Sequence, residues 1–390
     1  MYRKNVHLLS IFNFLTGFSL FAPLAIIYFS RVSGSFALGA SIFGITTLTS
    51  ALFEIPTGIW SDRVGRKVTI ILGSWSRVIA LIFYAVGSSY WWLVIGAIFE
   101  GLSRSLYSGN NDAFLYDTLA DNHLESEFHG YQGKVSSTEQ LAMGLSAILG
   151  GIVASFSFHY LLWISVILGI AALYISYQFI DPRPRTHTSS NIYAHIDNAF
   201  RLFIHNEKLR LLSLASIWEY SINEIKWEFS SAFTAIVWPL WAIGIARTLP
   251  SFGASLSYFF SGKLIRKFKE IRILLFDSIF GRVVSLFAYG FPTVLSPIIL
   301  AAPSLLYGVG SVSEKTLMQK EFSDHERATM SSLNSLGGSL GFTVMSIFLG
   351  GMADIMGPPK ALVILTILSL PVIYLYGLLF RKDRQSNISK

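Results

Sequence analysis

Ionisable and amide side chains occur at helical spacing inside long apolar stretches of this sequence. Glu100 and Arg104 are four residues apart, which places both on one helix face, and Asn111 continues the polar stripe. Thirteen residues separate Arg104 from Asp117, so Arg104 lies about 20 Å inside a helix that ends there. A charge at the centre of a bilayer costs roughly 2.5 to 3.5 kcal/mol, so such groups normally face a cavity or one another. They are therefore candidates for binding a polar solute or a proton.

A second apolar stretch carries Glu219, Asn223 and Lys226 on one helix face. Glu219 lies about 15 Å inside a helix that begins at Leu209, whereas Lys226 lies nearer the opposite end. Arg247, in the next stretch, is predicted at a comparable depth as the counter-ion of Glu219. Burial favours the protonated carboxylate and a nearby arginine favours the ionised one, so opening and closing of a cavity would load and release a proton.

The alternative is that Glu100–Arg104 and Glu219–Arg247 are permanent structural pairs, and the sequence does not separate the two interpretations. Asn13 in the first apolar stretch would line the same pathway, or make a hydrogen bond between helices. Structural roles are favoured for four further charged residues: Arg77, Glu139, Asp277 and Arg282.

The composition identifies the solvent of these stretches as a lipid bilayer. Of 390 residues, 52% are hydrophobic and 14% charged, which excludes an ordinary soluble domain. The apolar runs have the length of roughly 18 to 25 residues that a membrane-spanning helix needs. The predicted fold class is an all-α integral membrane protein with twelve transmembrane helices as two six-helix pseudo-symmetric halves. The spans are predicted at about 7–29, 37–60, 68–88, 91–117, 134–156, 159–180, 209–232, 237–261, 273–290, 293–313, 328–351 and 359–380.

Basic residues are sorted by loop. The predicted loops on one side of the membrane, with both termini, hold 23 Lys or Arg, and those on the other side hold two, Arg31 and Lys360. By the positive-inside rule, both termini are predicted to be cytoplasmic. The net charge of +7 then needs no nucleic-acid partner. The sequence contains no cysteine, which excludes disulfides and cysteine-ligated metals, and no cofactor is expected.

The halves are separated by a polar segment and related by a weak repeat. The segment 181–208 divides residues 1–180 from residues 209–390 and contains a candidate amphipathic helix at 192–203. Arg77-Val-Ile-Ala-Leu-Ile-Phe in span three matches Arg282-Val-Val-Ser-Leu-Phe-Ala in span nine. Parallel six-helix repeats with a central site between them are a known transporter architecture.

The loop between spans two and three reads Gly58-Ile-Trp-Ser-Asp62-Arg63-Val-Gly65-Arg66-Lys67. This segment resembles the G-x-x-x-D-R-x-G-R-K motif of the major facilitator superfamily. Segments around Glu54, Asp112, Thr329 and Asp354 are similar to a poorly characterised bacterial branch of that superfamily, so the resemblance covers nearly the whole chain. It implies a transporter in the bacterial inner membrane, with a monomer as the expected state.

The resemblance also implies a conformational latch. Asp62 is expected to approach the start of span eleven, and Arg66 to approach Asp117 at the end of span four. These contacts would stabilise the outward-open state and break when the cytoplasmic side opens. The alternative is that the loop serves only as a positively charged membrane anchor.

The function implied is secondary active transport of a small organic solute by alternating access, driven by protons. Drug/proton antiporters of the superfamily carry a proline-containing motif in span five, and this chain has Met143-Gly-Leu-Ser-Ala-Ile-Leu-Gly-Gly151 without the proline, so efflux is one direction among two. Uptake or facilitated diffusion, with Glu100, Arg104 and Glu219 binding the solute directly, stays open. A sensor or an enzyme on the same fold is disfavoured, because nucleotide-binding and hydrolase motifs are absent from the sequence.

Overall fold

The computed structural model describes residues 2–182, 203, 206–321 and 327–388, with side chains described outside 319–332 and 382–388. The regular elements in these ranges are all helical. The α-helices are α1 Tyr2–Gly17, α2 Ala25–Ser33, α3 Phe36–Val64, α4 Arg66–Val86, α5 Tyr90–Tyr107, α6 Asn110–Ala120, α7 Phe128–Phe156, α8 Phe158–Tyr177, α9 Glu207–Val237, α10 Ile243–Phe268, α11 Glu270–Gly290, α12 Ser296–Ile299, α13 Ser304–Glu321, α14 Arg327–Met356, α15 Pro358–Leu368 and α16 Pro371–Ile388. Short 3-10 turns lie at Ala22–Leu24, Glu125–Glu127 and Leu240–Ala242.

Eight segments of the described chain are long and apolar enough to cross a membrane. They are Tyr2–Ser33, Phe36–Val64, Arg66–Val86, Glu125–Phe156, Phe158–Tyr177, Ser296–Met318, Leu333–Met356 and Pro358–Arg381. The predicted spans at 91–117, 209–232, 237–261 and 273–290 are not among them. The protein is therefore an all-helical, multi-pass membrane protein, and a count of twelve spans stays a prediction.

Predicted span four is divided into two helices. α5 ends at Tyr107 and α6 begins at Asn110, and the intervening Gly109 has a φ of +67°. Glycine adopts this left-handed conformation without the steric cost that a Cβ imposes, so Gly109 permits the break. Neither piece alone matches the length of the predicted span, and Arg104 and Asp117 lie on different helices.

The chain divides into two compact units. The first consists of Met1–Thr188 with Pro239–Ile245, and the second of Ser189–Trp238 with Ala246–Lys390. The predicted linker at 181–208, with its candidate amphipathic helix, lies largely outside the described residues.

Each unit has its own apolar core. In the first unit, buried Leu9 and Phe12 of α1 pack in one cluster with Ile70 of α4, Phe114 of α6 and Phe179. Burial of side chains of this size is worth about 1.5 to 3 kcal/mol each, so the cluster holds the ends of these helices together.

The core of the second unit joins α9 to α11 and α16. Leu209 and Leu212 of α9, Leu274 of α11, and Val372 and Tyr376 of α16 are almost fully buried in one cluster. Tyr376 also reaches a polar group of α9, so this core adjoins the charged residues described below.

Candidate functional site

The turn between α3 and α4 places Arg66 among three acceptors. Gly65 at this turn has a φ of +99°, a conformation that L-residues with side chains rarely adopt. The Arg66 guanidinium lies 2.8 Å from a carboxylate oxygen of Asp62 and 3.5 Å from one of Asp117, and it donates to the Ser61 hydroxyl at 2.9 Å. Asp117 is buried, so its carboxylate is compensated by a partly buried guanidinium.

Asn110 supports this turn from the first residue of α6. Its side-chain oxygen accepts from the Ser61 hydroxyl at 2.6 Å, and its amide nitrogen donates to the Arg66 carbonyl at 3.0 Å. Both Asn110 and Ser61 are buried. Sequence reasoning missed both roles, and the asparagine after a glycine at a helix break was the available signal. We call Ser61, Asp62, Arg66, Asn110 and Asp117 the latch cluster.

Asp181 contacts the same turn from the far end of the first unit. Its carboxylate accepts from the Lys67 amide at 3.3 Å, at the N-terminus of α4 where backbone donors lack helical partners. The preceding residue, Ile180, is held by Asn5, whose side chain both donates to and accepts from its backbone, at 2.8 and 3.0 Å.

Two further predicted latch residues, Gly58 and Arg63, lie in α3 outside the latch cluster. Gly58 is in α3, with open space beside its Cα, and Arg63 is exposed near the end of α3. The predicted approach of Asp62 to the start of span eleven stays a prediction, because the side chains of residues 327–332 are outside those described.

One carboxylate joins two arginines in the first unit. An Oε of Glu100 lies 3.4 Å from Arg104, one turn along α5, and 3.5 Å from Arg77 of α4. Arg77 also donates to the Thr16 carbonyl of α1 at 3.1 Å. The Arg104 side chain is 56% exposed and the Glu100 side chain only 13%, so the pair extends from the interior to an accessible surface.

Two predicted pathway amides in this unit have unsatisfied oxygens. The side-chain oxygens of Asn13 on α1 and Asn111 on α6 are buried, and neither has a hydrogen-bond partner in the described part of the chain. An unsatisfied buried acceptor costs about 1 to 3 kcal/mol. Because these oxygens are buried, a donor on a solute reaches them only after the surrounding side chains move.

Glu219 is held by three side chains in the second unit. Arg282 of α11 lies 3.6 Å from one carboxylate oxygen, to which the exposed Asn223 donates at 3.3 Å. The Tyr376 hydroxyl of α16 donates to the other oxygen at 3.4 Å. Arg282 is buried and also donates to the carbonyls of Ser278 and Ser369 at 2.9 and 3.1 Å.

The prediction that Arg247 is the counter-ion of Glu219 is wrong. Arg247 lies 3.8 Å from Glu228, stacks over the Trp227 ring at 3.9 Å, and donates to the Trp227 carbonyl and the Ser230 hydroxyl. The predicted span began at residue 237, whereas α10 begins at Ile243. Arg247 is therefore in the first turns of α10, beside the C-terminal third of α9 and away from Glu219.

Arg77 and Arg282, for which the sequence favoured structural roles, are the arginines that join Glu100 and Glu219 to a second helix. Their equivalence in the repeat was the signal that could have identified them. In the part of the chain that the structure describes, Glu100, Glu219 and Glu228 each lie within 4 Å of an arginine on another helix. Protonation of such a carboxylate removes the attraction that holds its arginine, so each pair can couple proton binding to a change in helix contacts.

Comparison with known proteins places the sequence in a family. The family model described as Major Facilitator Superfamily matches residues 7–341. An uncharacterized MFS-type transporter of Methanocaldococcus jannaschii is 23% identical over 91% of this chain and 92% of its own length. The inner membrane transport protein YajR of Escherichia coli is 23% identical over 65% of this chain and 56% of its own length.

Among solved structures, the nucleoside transporter NupG matches with a TM-score of 0.82 at 14% identity, covering 97% of this chain and 98% of that chain. At this identity the match indicates the fold alone.

Proposed function

Because the chain belongs to the major facilitator superfamily, and is therefore a membrane transporter of a small molecule and not an enzyme, we propose that it is a proton-coupled secondary active transporter. It moves a small organic solute by alternating access, with twelve spans in two six-helix halves, residues 1–180 and 209–390, joined by the segment 181–208. We place it as a monomer in a bacterial inner membrane with both termini cytoplasmic. The direction that we propose is export.

The observation that carries this proposal is the Glu219–Arg282 contact. Glu219 lies twelve residues after Glu207, the first residue of α9, and so about 18 Å along the helix. Its partner is on another helix and its side chain is 23% exposed, so a proton can reach it and its protonation releases Arg282. Release removes one contact between α9 and α11, and such a change in helix contacts is the link between proton binding and conformational change that a coupled transporter needs.

The latch cluster supplies the opposing element. Arg66, Asp62 and Asp117 join α3, α4 and α6 through contacts of 2.8 and 3.5 Å, and we propose that they stabilise one conformation and break in the other. Gly58 and Arg63 of α3, Gly65 at the turn and Lys67 of α4 belong to the same sequence motif. In this proposal they set the conformational equilibrium without binding solute.

Solute flux in inverted membrane vesicles under an imposed pH gradient tests the proposal. A mixed panel of organic cations, sugars and amphiphiles is offered to wild type, Glu219→Gln and Arg104→Ala, with Glu127→Gln at an exposed turn as the matched control. We expect a solute to move against its gradient in wild type and the control, and Glu219→Gln to abolish that accumulation. Accumulation that survives Glu219→Gln would refute the coupling role.

The competing function is facilitated diffusion or nutrient uptake, with charged side chains binding the solute. The 56% exposure of Arg104 beside the partly buried Glu100 favours direct solute contact at that position. If the function is facilitated diffusion, wild type equilibrates the solute without accumulating it. For either competing function, Arg104→Ala raises the half-saturating solute concentration.

A further inference from the structure

Lys226 of α9 differs from four arginines that also lie inside long helices of the described chain. Arg77, Arg104, Arg247 and Arg282 each lie within 4 Å of a carboxylate. Among the described residues, the ammonium of Lys226 makes no ion pair. It lies eleven residues before Val237, the end of α9, and so about 16 Å from that end of the helix.

The surroundings of Lys226 contain a hydroxyl and an aromatic face. Its ammonium donates to the Ser285 hydroxyl of α11 at 3.2 Å and lies 5.9 Å from the centre of the Tyr289 ring. Ser285 and Tyr289 are buried, whereas Lys226 is only partly buried. An ammonium has three N–H donors, and Ser285 accepts from one of them. The described residues supply no hydrogen-bond acceptor for the other two N–H donors.

The nearest carboxylate on the same helix face does not fill this need. Glu219 lies seven residues before Lys226 and is held by Arg282, which is itself on the Ser285 face of α11. Among the described residues, Lys226 and Arg282 each contact the other helix of this pair, and Glu219 is already paired with Arg282. Asn223, on the same face of α9, is exposed, so molecules have access to this stripe.

We propose that Lys226, with the Ser285 hydroxyl, binds the negative group of a solute, a carboxylate or a phosphate. This inference names the substrate class of the proposed transporter. It rests on the proposed function in one respect, that the anion bound at Lys226 is part of the transported solute. A partly buried ammonium without a counter-ion is costly, and an anion with oxygen acceptors compensates it by charge-assisted hydrogen bonds.

The test measures binding separately from flux. Purified full-length protein is heated with acetate, inorganic phosphate, benzoate or phenyl phosphate, and with the uncharged benzamide and benzyl alcohol. A ligand that binds the folded state raises the unfolding temperature. We expect the anions, and not the uncharged compounds, to raise it for wild type and Lys226→Arg. Lys226→Met should weaken the binding of benzoate about tenfold or more, because a charge-assisted contact is lost. Lys263→Met, at an exposed site on α10, is the matched control.

Equal stabilisation of Lys226→Met and wild type, or no stabilisation of wild type by any of the four anions, would overturn the anion site. Repeating the measurement in phosphatidylcholine discs with and without phosphatidylglycerol distinguishes two sources of the same chemistry. Competition by phosphatidylglycerol identifies a lipid headgroup as the ligand, and its absence identifies a dissolved anion.

Flux then separates this inference from the proposed function. Anion binding that depends on Lys226 without any solute movement would support the site and contradict transport by this chain. If the chain actively transports a solute and Lys226→Met does not change the rate of that transport, the result would support the proposed function and contradict the proposed substrate class.

Discussion

Replacing Arg282 by methionine should destabilise the second unit far more than the equivalent replacement of Arg77 destabilises the first. Arg282→Met keeps the apolar stem but removes hydrogen bonds to the Ser278 and Ser369 carbonyls and leaves Glu219 without its arginine. The Arg282 side chain is 7% exposed. Breaking a buried pair by removing one partner costs about 3 to 5 kcal/mol, and the 23% exposure of Glu219 places the expected loss near the lower end.

Arg77→Met is the internal comparison. Glu100 keeps Arg104 at 3.4 Å, so no carboxylate is left uncompensated, and the principal loss is the hydrogen bond to the Thr16 carbonyl. We expect a cost of about 1 to 2 kcal/mol. The two variants should therefore differ by about 1 to 2 kcal/mol although they alter matching positions of the repeat.

Equilibrium unfolding in mixed micelles of a mild detergent and dodecyl sulfate, followed by tryptophan fluorescence, provides the free energies. The double variant Glu219→Gln/Arg282→Met isolates the charge term, since neutral glutamine needs no counter-ion. It should be more stable than Arg282→Met alone by about 1 kcal/mol or more. Equal costs for Arg77→Met and Arg282→Met, or no recovery in the double variant, would refute the assignment of the cost to an uncompensated carboxylate.

Three further predictions concern the latch and the packing of the first unit. Asn110→Ala removes the acceptor of Ser61 and the donor to the Arg66 carbonyl and should cost about 2 kcal/mol in the same unfolding assay, whereas Ser126→Ala at an exposed turn should leave the free energy unchanged. Asp181→Ala removes the acceptor at the start of α4 and should lower the free energy of unfolding by about 1 kcal/mol. Asp181→Asn keeps a side-chain acceptor and should therefore keep most of that stability. Equal losses of stability in the two variants would exclude the capping role. A Cβ at Gly101 would lie 2.5 Å from the Thr46 carbonyl oxygen, so Gly101→Ala should lower the free energy of unfolding by about 1 to 3 kcal/mol. The control Gly130→Ala, at a position in α7 with open space around it, should be neutral or stabilising. A neutral Gly101→Ala would contradict the close approach of α3 and α5.

What the sequence could predict depended on whether partners are local or distant along the chain. The membrane environment follows from composition, and the Glu100–Arg104 contact follows from a spacing of four residues on one helix. The motif between α3 and α4 led through its family resemblance to Arg66 and Asp117, which lie 3.5 Å apart. Depth counting, by contrast, failed for Arg247. An error of six residues in the start of α10 displaces a side chain by about 9 Å, which is more than the reach of any ion pair.

The repeat shows the same limit from another direction. Arg77 and Arg282 match in sequence, yet Arg77 contacts a carboxylate on the next helix, α5, and Arg282 contacts one on α9, the first helix of its own half. The repeat predicts equivalent backbone positions with an arginine at each. The carboxylates that these two arginines contact, Glu100 and Glu219, are not equivalent in the repeat. Partner choice was therefore not readable from the repeat, because the partners sit at positions that do not match between the halves.

This difference has a functional consequence for the proposed mechanism. In the first unit, Glu100 can lose one arginine and keep the other, so a solute that takes one arginine still leaves the carboxylate compensated. In the second unit, Glu219 has one arginine and two neutral donors, so its protonation removes the only ionic link between α9 and α11 at that level of the described chain. We therefore expect coupling to reside in the second unit, and Glu100→Gln to leave proton-driven accumulation in place where Glu219→Gln abolishes it. Loss of accumulation in Glu100→Gln alone would reverse the assignment.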